Sequence, residues 1–320
     1  MFAAASSDLP LGAYLAGFAG LAGLPGLLIA FVLWRRRKRN ADGERRPMET
    51  KLLRPAGYGL IQRLDESLQD GIGQVLGLAV VGGGLGMAAY VTVPILWGLL
   101  LNKVTLAQLL DHPRWYVFLS LALINVGGVG GVIYQFARCL QVFKIIEAVR
   151  LGLRGEQAVG EALADARIAV AGYRVFHDVP GDGKWNIDHV LVGPAGVFVL
   201  ETKARSKRPG REGQAKHEVQ FDGRMLRFPN WDDHETVRQV ERNTEWVRKF
   251  LADFAPPELA YQPAVVVPGW YVTSLGNYPV KAMNTTYLPN YLASMKRRFE
   301  SDELKAVIRR LDERCRTLEF

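Results

Sequence analysis

The chain has 320 residues, a formal net charge of +8 and two cysteines. Cys139 and Cys315 lie far apart and belong to no Cys-x-x-Cys pair, which argues against both a zinc-ribbon pattern and a disulfide framework. From Arg150 onward there are 26 basic and 23 acidic residues, so most of the excess positive charge lies among the apolar segments of the first part. Membrane topology explains charge in that position, and the basic balance alone does not indicate nucleic-acid binding.

Three long apolar segments, 12–34, 72–101 and 115–136, occupy the first part of the chain. Each is long enough to cross a bilayer as a helix. None carries Asp, Glu, Lys or Arg in its middle, which favours an anchor over a conduction path, because transporters usually need ionisable groups within the membrane. We therefore predict an all-α membrane anchor of three transmembrane helices over residues 1–139.

The basic residues that flank these segments predict the orientation of the anchor. A run of five basic residues, Arg35-Arg36-Arg37-Lys38-Arg39, follows the first segment, whereas a cleaved signal peptide carries its charge before the apolar core. Further basic residues follow the third segment, at Arg138, Lys144, Arg150 and Arg154. We expect a multi-pass protein of the inner (plasma) membrane, with its N-terminus outside and its C-terminal half in the cytoplasm.

Two stretches beside the predicted spans have helical patterns. Residues 58–68 are consistent with a short amphipathic helix on the membrane surface or with a plain loop. Residues 139–166 have a helical apolar period, and we expect Gly152 and Gly155 to break that helix in two.

The soluble half contains a short hairpin that carries three charged side chains. A strand at 172–176 and a polar turn at 178–184 precede two apolar runs, which are joined by Gly193-Pro194-Ala195-Gly196. Glu201 and Lys203 point the same way from the second strand, and the hairpin brings Asp188 beside them. Buried charge requires a partner. The cluster is therefore either a structural ion pair of Lys203 with Asp188 or Glu201, or a site where two carboxylates hold a hard cation such as Mg²⁺.

Several short runs occur in one order along residues 150–270, each in a fitting secondary structure. They are Arg154-Gly155-Glu156, Tyr173-Arg174-Val175-Phe176-His177-Asp178, Ile187-Asp188-His189-Val190, Gly196-Val197-Phe198-Val199-Leu200-Glu201-Thr202-Lys203, the pair Gln239 and Asn243 in a helical stretch at 235–251, and a late strand at 264–268. Together these runs closely resemble the nuclease-related domain (NERD) family, which belongs to the PD-(D/E)xK nuclease superfamily.

The resemblance implies a fold and a set of site residues. The fold is a cytoplasmic α/β domain with a restriction-endonuclease-like mixed sheet core over residues 140–285, followed by a C-terminal helical extension over 286–320. The implied ligands of Mg²⁺ (or Mn²⁺) are Asp188, Glu201 and Glu156, Lys203 is the catalytic lysine, and Gln239 is a supporting polar residue near the scissile phosphate. His189 alternates to the face opposite Asp188, so we expect a packed or hydrogen-bonded histidine and no general base.

The implied function is metal-dependent hydrolysis of phosphodiester bonds in nucleic acid, with DNA preferred by family analogy. The other expected partner is the lipid bilayer, and the C-terminal tail either caps the domain or pairs with a second copy of the chain. Two alternatives remain open at this point. One is a non-cleaving module that binds nucleic acid or protein on a nuclease fold, and the other is a membrane sensor or assembly protein.

Basic and aromatic residues near the hairpin have two possible roles. Those at Lys207, Arg208, Arg211 and Lys216 form either a solvated loop or a phosphate-binding loop. Trp185, Trp231 and Trp246 either stack on unpaired bases or pack within the protein. Asp222-Gly223 predicts a hairpin over 219–228, and the tail has a helical apolar face at Leu304, Val307, Ile308 and Leu311.

Overall fold

The computed structural model describes residues 52–101, 105, 107–108, 111, 115–183, 185–207 and 217–318. These residues form two compact units, one of residues 66–146 and one that joins residues 52–65 to residues 147–318. The predicted span at 12–34 lies outside the described residues. The predicted domain boundary at residue 139 falls inside a continuous helix, Trp115–Leu163.

Two long helices, α1 (Tyr58–Leu100) and α2 (Trp115–Leu163), cover the residues predicted as spans at 72–101 and 115–136, except for the last residue of the first. Residues 58–68 are the first turns of α1 and not a loop. Helix α2 continues through Gly152 and Gly155, so the predicted break was wrong. The glycine at 155 serves close packing: a Cβ atom there would lie 2.5 Å from the Cβ of Ala204. Such packing offsets the helix propensity that glycine lacks.

In the unit of residues 66–146, polar side chains join the two helices and apolar side chains face outward. Asn125 donates to the Thr92 hydroxyl at 2.9 Å, and Gln135 Nε2 donates to Gln74 Oε1 at 2.7 Å. Val126 is 76% exposed and Ile133 is 64% exposed. One helical stretch among the described residues, Asn125–Leu163, has the length and apolar composition needed to cross a membrane.

The second unit contains a five-stranded mixed sheet. In spatial order its strands are β10 (Lys281–Met283), β8 (Tyr261–Val266), β4 (Gly196–Thr202), β3 (Asn186–Gly193) and β2 (Arg174–Pro180). The β2–β3 and β3–β4 pairs are antiparallel, and the β4–β8 and β8–β10 pairs are parallel. The predicted mixed sheet is confirmed, and it is compatible with an α/β nuclease-like core.

The β3–β4 hairpin has the turn that the sequence predicts. Pro194 and Ala195 form its tip, and Gly196 adopts a φ of +124°, where a Cβ atom would lie 2.5 Å from the carbonyl oxygen of Ala260. The predicted polar turn at 178–184 begins too early, because β2 extends through His177 and Asp178 to Pro180. Hydrogen bonding across the sheet outweighs the polar composition of this stretch.

A second, four-stranded sheet lies in the same unit. Its strands, in spatial order, are β7 (Trp231–Asp233), β6 (Leu226–Phe228), β5 (Glu218–Phe221) and β9 (Tyr271–Ser274). Strands β5 and β6 form the predicted hairpin around Asp222-Gly223. The Asp222 side chain accepts the backbone N–H groups of Arg224 and Met225, which fixes the turn.

Helices cover both faces of the five-stranded sheet. The remaining helices and strands of the described residues are α3 (Ala166–Val170), α4 (Glu235–Leu251), α5 (Leu288–Ala293), α6 (Lys305–Cys315), β1 (Leu52–Leu53) and β11 (Arg316–Leu318). Val190 and Val199 pack with α4 and α6, whereas the alternate residues Leu191 and Phe198 pack with the end of α2. The tail residues Leu304, Val307 and Leu311 belong to the same apolar core as Val190, Val199 and α4.

Candidate active site

The β3–β4 hairpin places two carboxylates at the end of the sheet. The β3–β4 pairing ends with His189 and Leu200, so Asp188 and Glu201 lie just beyond its last pair. Asp188 accepts the backbone N–H of Thr202 at 2.7 Å. Glu201 is 5% exposed, and its Oε2 atom accepts from Asn243 Nδ2 at 3.2 Å. Both carboxylates are therefore held in defined positions by neutral donors.

Glu156 approaches this pair from the last turns of α2, because Gly155 lets the helix pack closely against Ala204 after β4. Burial raises the pKa of Glu156 to about 9, and the negative charges of Asp188 and Asp178 add to this effect. A hydrogen bond from the backbone of Gly57 acts in the opposite direction. The helix acid of the sequence prediction thus lies within electrostatic reach of the hairpin acids.

The pKa values of the two hairpin carboxylates, Asp188 and Glu201, are raised as well. Burial raises the pKa of Asp188 to about 7, against the Thr202 hydrogen bond and the charge of Lys203. Burial also raises the pKa of Glu201 well above its ordinary value, and the charges of Asp188 and Glu156 contribute. Three carboxyl groups that disfavour one another's ionisation need either protons or a bound cation at neutral pH.

Lys203 is held from the second sheet. Its Nζ atom lies 3.7 Å from Asp233 Oδ2, and its side chain is 18% exposed. Asp233 in turn accepts the backbone N–H and the hydroxyl of Thr236 in the first turn of α4. Lys203 also lowers the pKa of Asp188 and of Glu201, so its charge reaches the carboxylates although its ion pair is with Asp233.

Helix α4 supplies an amide that the sequence analysis assigned no role. Asn243 is 6% exposed and donates to Glu201, whereas Gln239, one turn earlier, is partly buried. The signal for Asn243 was its place in the buried stripe of an amphipathic helix, with Val240 and Val247, since a buried amide requires a partner.

Asp178 and Asp233 are two acids that the sequence analysis did not place at the site. Asp178 is 3% exposed and has a φ of +49°. It accepts from Arg54 Nη1 at 2.9 Å and from the backbone N–H of Gly59 at 3.0 Å. The segment before α1 is thereby fixed beside Glu156, a contact that depends on residues far apart in sequence.

His189 lies on the opposite face of the hairpin from Asp188, as expected. It is fully buried, and its Nδ1 atom is 2.8 Å from Nδ1 of His177 on β2. Burial lowers the pKa of both histidines. The expectation of a packed, hydrogen-bonded histidine is confirmed.

The donor chemistry of the site fits a hard divalent cation, although the ligand set is not fully assembled. Within the described ranges, no three His, Cys, Asp or Glu side chains are positioned together as a metal-binding group. Mg²⁺ needs only one or two carboxylates, because it keeps several waters. Burial, with a smaller contribution from neighbouring negative charges, raises the pKa values of Asp188, Glu201 and Glu156, and a bound cation would favour their ionised forms.

Residues 151–268 match the family model of the nuclease-related domain (NERD). The match contains Glu156, both carboxylates of the hairpin, Lys203 and the α4 helix with Asn243. Comparison with curated proteins and with solved structures gives no match. The similarity therefore indicates a nuclease-related function for this part of the chain.

Proposed function

We propose that this chain is a membrane-anchored, metal-dependent nuclease of the PD-(D/E)xK type that hydrolyses phosphodiester bonds of nucleic acid, with DNA as its main substrate. The observation that carries the proposal is the cluster of three carboxylates, the buried Glu201 and the partly buried Glu156 and Asp188, whose pKa values are raised by loss of solvent and by neighbouring negative charge. The cluster lies beside Lys203 and within the stretch that matches a nuclease-related domain.

Each side chain has a distinct part in the proposed reaction. Asp188 and Glu201, supported by Glu156, would hold Mg²⁺ or Mn²⁺, which when bound polarises a phosphate oxygen and makes its water more acidic. Thr202 N–H and Asn243 orient the two hairpin carboxylates.

Lys203 supplies positive charge where the phosphate becomes more negative in the transition state. Asp233 lies 3.7 Å from the lysine Nζ atom and, in this proposal, holds the ammonium near the carboxylates. In this proposal Gln239, one turn from Asn243, contacts the phosphate next to the scissile bond.

Cleavage of plasmid DNA by the full-length chain in detergent tests the proposal. We expect cleavage that requires Mg²⁺ or Mn²⁺ and that is lost in Asp188→Ala and Lys203→Ala. The matched controls, Asp253→Ala and Lys249→Ala, change solvent-exposed residues of the same types and should cleave like the unaltered chain. Equal cleavage by the site variants and the controls would contradict the assignment.

A non-cleaving binding module is the second candidate function, and a specific observation favours it. Lys203 pairs with Asp233, and the described residues contain no complete metal-binding group of His, Cys, Asp and Glu. Retention of labelled DNA by the unaltered chain, without any product in Mg²⁺ or Mn²⁺, would support this candidate against the nuclease.

The membrane part of the proposal comprises three spans, with the N-terminus outside and the nuclease-like domain in the cytoplasm. Outward-facing apolar side chains such as Val126 and Ile133 support it, together with the interhelical hydrogen bond between Asn125 and Thr92. Reporter fusions test the topology: a fluorescent protein should be active after residues 40 and 320, and alkaline phosphatase after residue 107. The opposite pattern would contradict it.

A further inference from the structure

A row of three cations leads away from the candidate site along the chain segment after β4. Lys203, Arg205 and Lys207 occupy alternate positions and contact the second sheet or the turn before β9. Lys203 and Arg205 each lie 3.7 Å from Asp233 Oδ2, and Lys207 Nζ lies 5.8 Å from the ring centroid of Trp270. Lys203 and Arg205 thus share one carboxylate, that of Asp233.

Trp231 is an exposed aromatic side chain within the same surface. The residue is 39% exposed, although its ring stacks on Phe228 with ring centroids 4.4 Å apart and an angle of 5°. Phe228 is buried, and its ring contacts Trp270 edge to face. Phe228 therefore fixes one face of the Trp231 ring, and the tryptophan remains partly exposed to solvent.

Arg205 connects this aromatic side chain to the candidate site. Its guanidinium carbon lies over the Trp231 ring, 5.0 Å from the centroid, on the face that Phe228 leaves open. The same guanidinium contacts Asp233, the partner of Lys203. The Arg205 side chain is 38% exposed. Arg205 therefore places a planar cation on a partly exposed indole, and it shares Asp233 with the candidate catalytic lysine. This arrangement is suited to one class of ligand. That class combines phosphate charge with flat, unpaired bases.

We propose that Arg205 and Trp231 form a strand-binding subsite that selects nucleic acid with unpaired bases next to the scissile phosphate. In this subsite the Arg205 guanidinium moves from the indole face to a backbone phosphate, and a base stacks on Trp231 in its place, so single strands and frayed duplex ends are preferred over intact duplex. This inference rests on the proposed function, since it names the substrate class of the same site. Bases within a duplex are stacked on each other and cannot reach the indole.

Binding and cleavage are measured separately, so that the two proposals can fail independently. The full-length chain in detergent and EDTA is titrated into fluorescein-labelled oligothymidylate and into a blunt GC-rich duplex of the same length, and anisotropy is recorded. We expect tighter binding of the single strand. Trp231→Leu, which keeps apolar bulk over Phe228, should weaken single-strand binding about 10-fold, and Trp231→Phe should retain most of it.

The matched control is Trp185→Leu, because Trp185 is 38% exposed and lies against Trp246 at another surface. For the cation, Arg205→Ala should reduce the slope of log K against log salt by about 0.7 for single strands. Arg242→Ala, on the solvent side of α4, should leave the slope unchanged. Thermal unfolding of each variant identifies any loss that comes from misfolding.

The outcomes separate the subsite from the nuclease. If Trp231→Leu and Trp185→Leu bind the single strand equally well, the subsite is overturned whether or not the unaltered chain cleaves DNA. Selective loss in Trp231→Leu supports the subsite even if Mg²⁺ and Mn²⁺ produce no cleavage, in which case only the nuclease proposal fails. Equal affinity of the unaltered chain for single strand and duplex also overturns the subsite.

Discussion

Replacing Glu156 by glutamine should stabilise the metal-free protein at alkaline pH while it weakens metal binding. Burial and two nearby acids raise the pKa of Glu156 from 4.5 to about 9 in the folded chain. Between these pH values the folded state keeps a proton that the unfolded state has released. The free energy of unfolding therefore decreases as pH rises through this window, at most by about 1.4 kcal/mol per pH unit.

The magnitude follows from the width of this window. Between pH 4.5 and pH 7 the free energy of unfolding therefore decreases by at most about 3 kcal/mol. Glu156 is partly exposed, and solvent screening reduces the loss to about 1–2 kcal/mol. Glutamine has no charge to release, so Glu156→Gln should exceed the unaltered chain in stability by about that amount at pH 7–8 and by little at pH 5.

Urea unfolding of the full-length chain in detergent, followed by tryptophan fluorescence at several pH values, measures this difference. The control is Glu161→Gln, an exposed acid on the same helix, whose curve should follow that of the unaltered chain. With Mn²⁺ present, the unaltered chain should gain stability, increasingly so at higher pH, and Glu156→Gln should gain less. Identical pH profiles of Glu156→Gln and Glu161→Gln would refute the reasoning.

Three further substitutions test the supports of the site. Asn243→Ala removes the amide donor to Glu201 and should reduce single-turnover plasmid cleavage about 10-fold or more, a larger loss than Gln239→Ala causes; the reverse order would assign the main role to Gln239. Asp233→Asn removes the charge that holds Lys203 and should reduce cleavage with little change in metal affinity; unchanged turnover would show that the ion pair has no positioning role. Gly155→Val forces atoms against Ala204 and should lower the free energy of unfolding by about 1–3 kcal/mol, an effect that a normal urea midpoint would contradict.

The central hairpin was predictable because its information is local. Two continuous apolar runs and the Gly-Pro-Ala-Gly turn specify two adjacent strands, and the register of their pairing places Asp188 and Glu201 near one end of the hairpin. Helix α6 was predictable for the same reason, since Leu304, Val307 and Leu311 recur with a helical period.

Features that depend on distant contacts were missed. The continuity of α2 at Gly155 depends on close packing against Ala204, and the extension of β2 through Asp178 depends on pairing with β3. The contact of Arg54 with Asp178 joins residues 124 positions apart. No local pattern predicts such a pair.

The site residues likewise divide into those that local sequence indicates and those that depend on distant contacts. The sequence supplied Asp188, Glu201 and Lys203 from one hairpin, and the resemblance supplied Glu156 and Gln239. Asp233, the partner of Lys203, comes from the edge of the second sheet, so its role depends on how the two sheets pack within this unit.

The most direct measurement of the central claim is a crystal of the chain grown with Mn²⁺ and recorded at the manganese absorption edge. The account predicts an anomalous peak between the carboxylates of Asp188 and Glu201, with Glu156 beside it as a direct or water-mediated ligand. A crystal grown at saturating Mn²⁺ that shows no peak there, with both carboxylates still hydrogen-bonded to Thr202 and Asn243, would contradict the account.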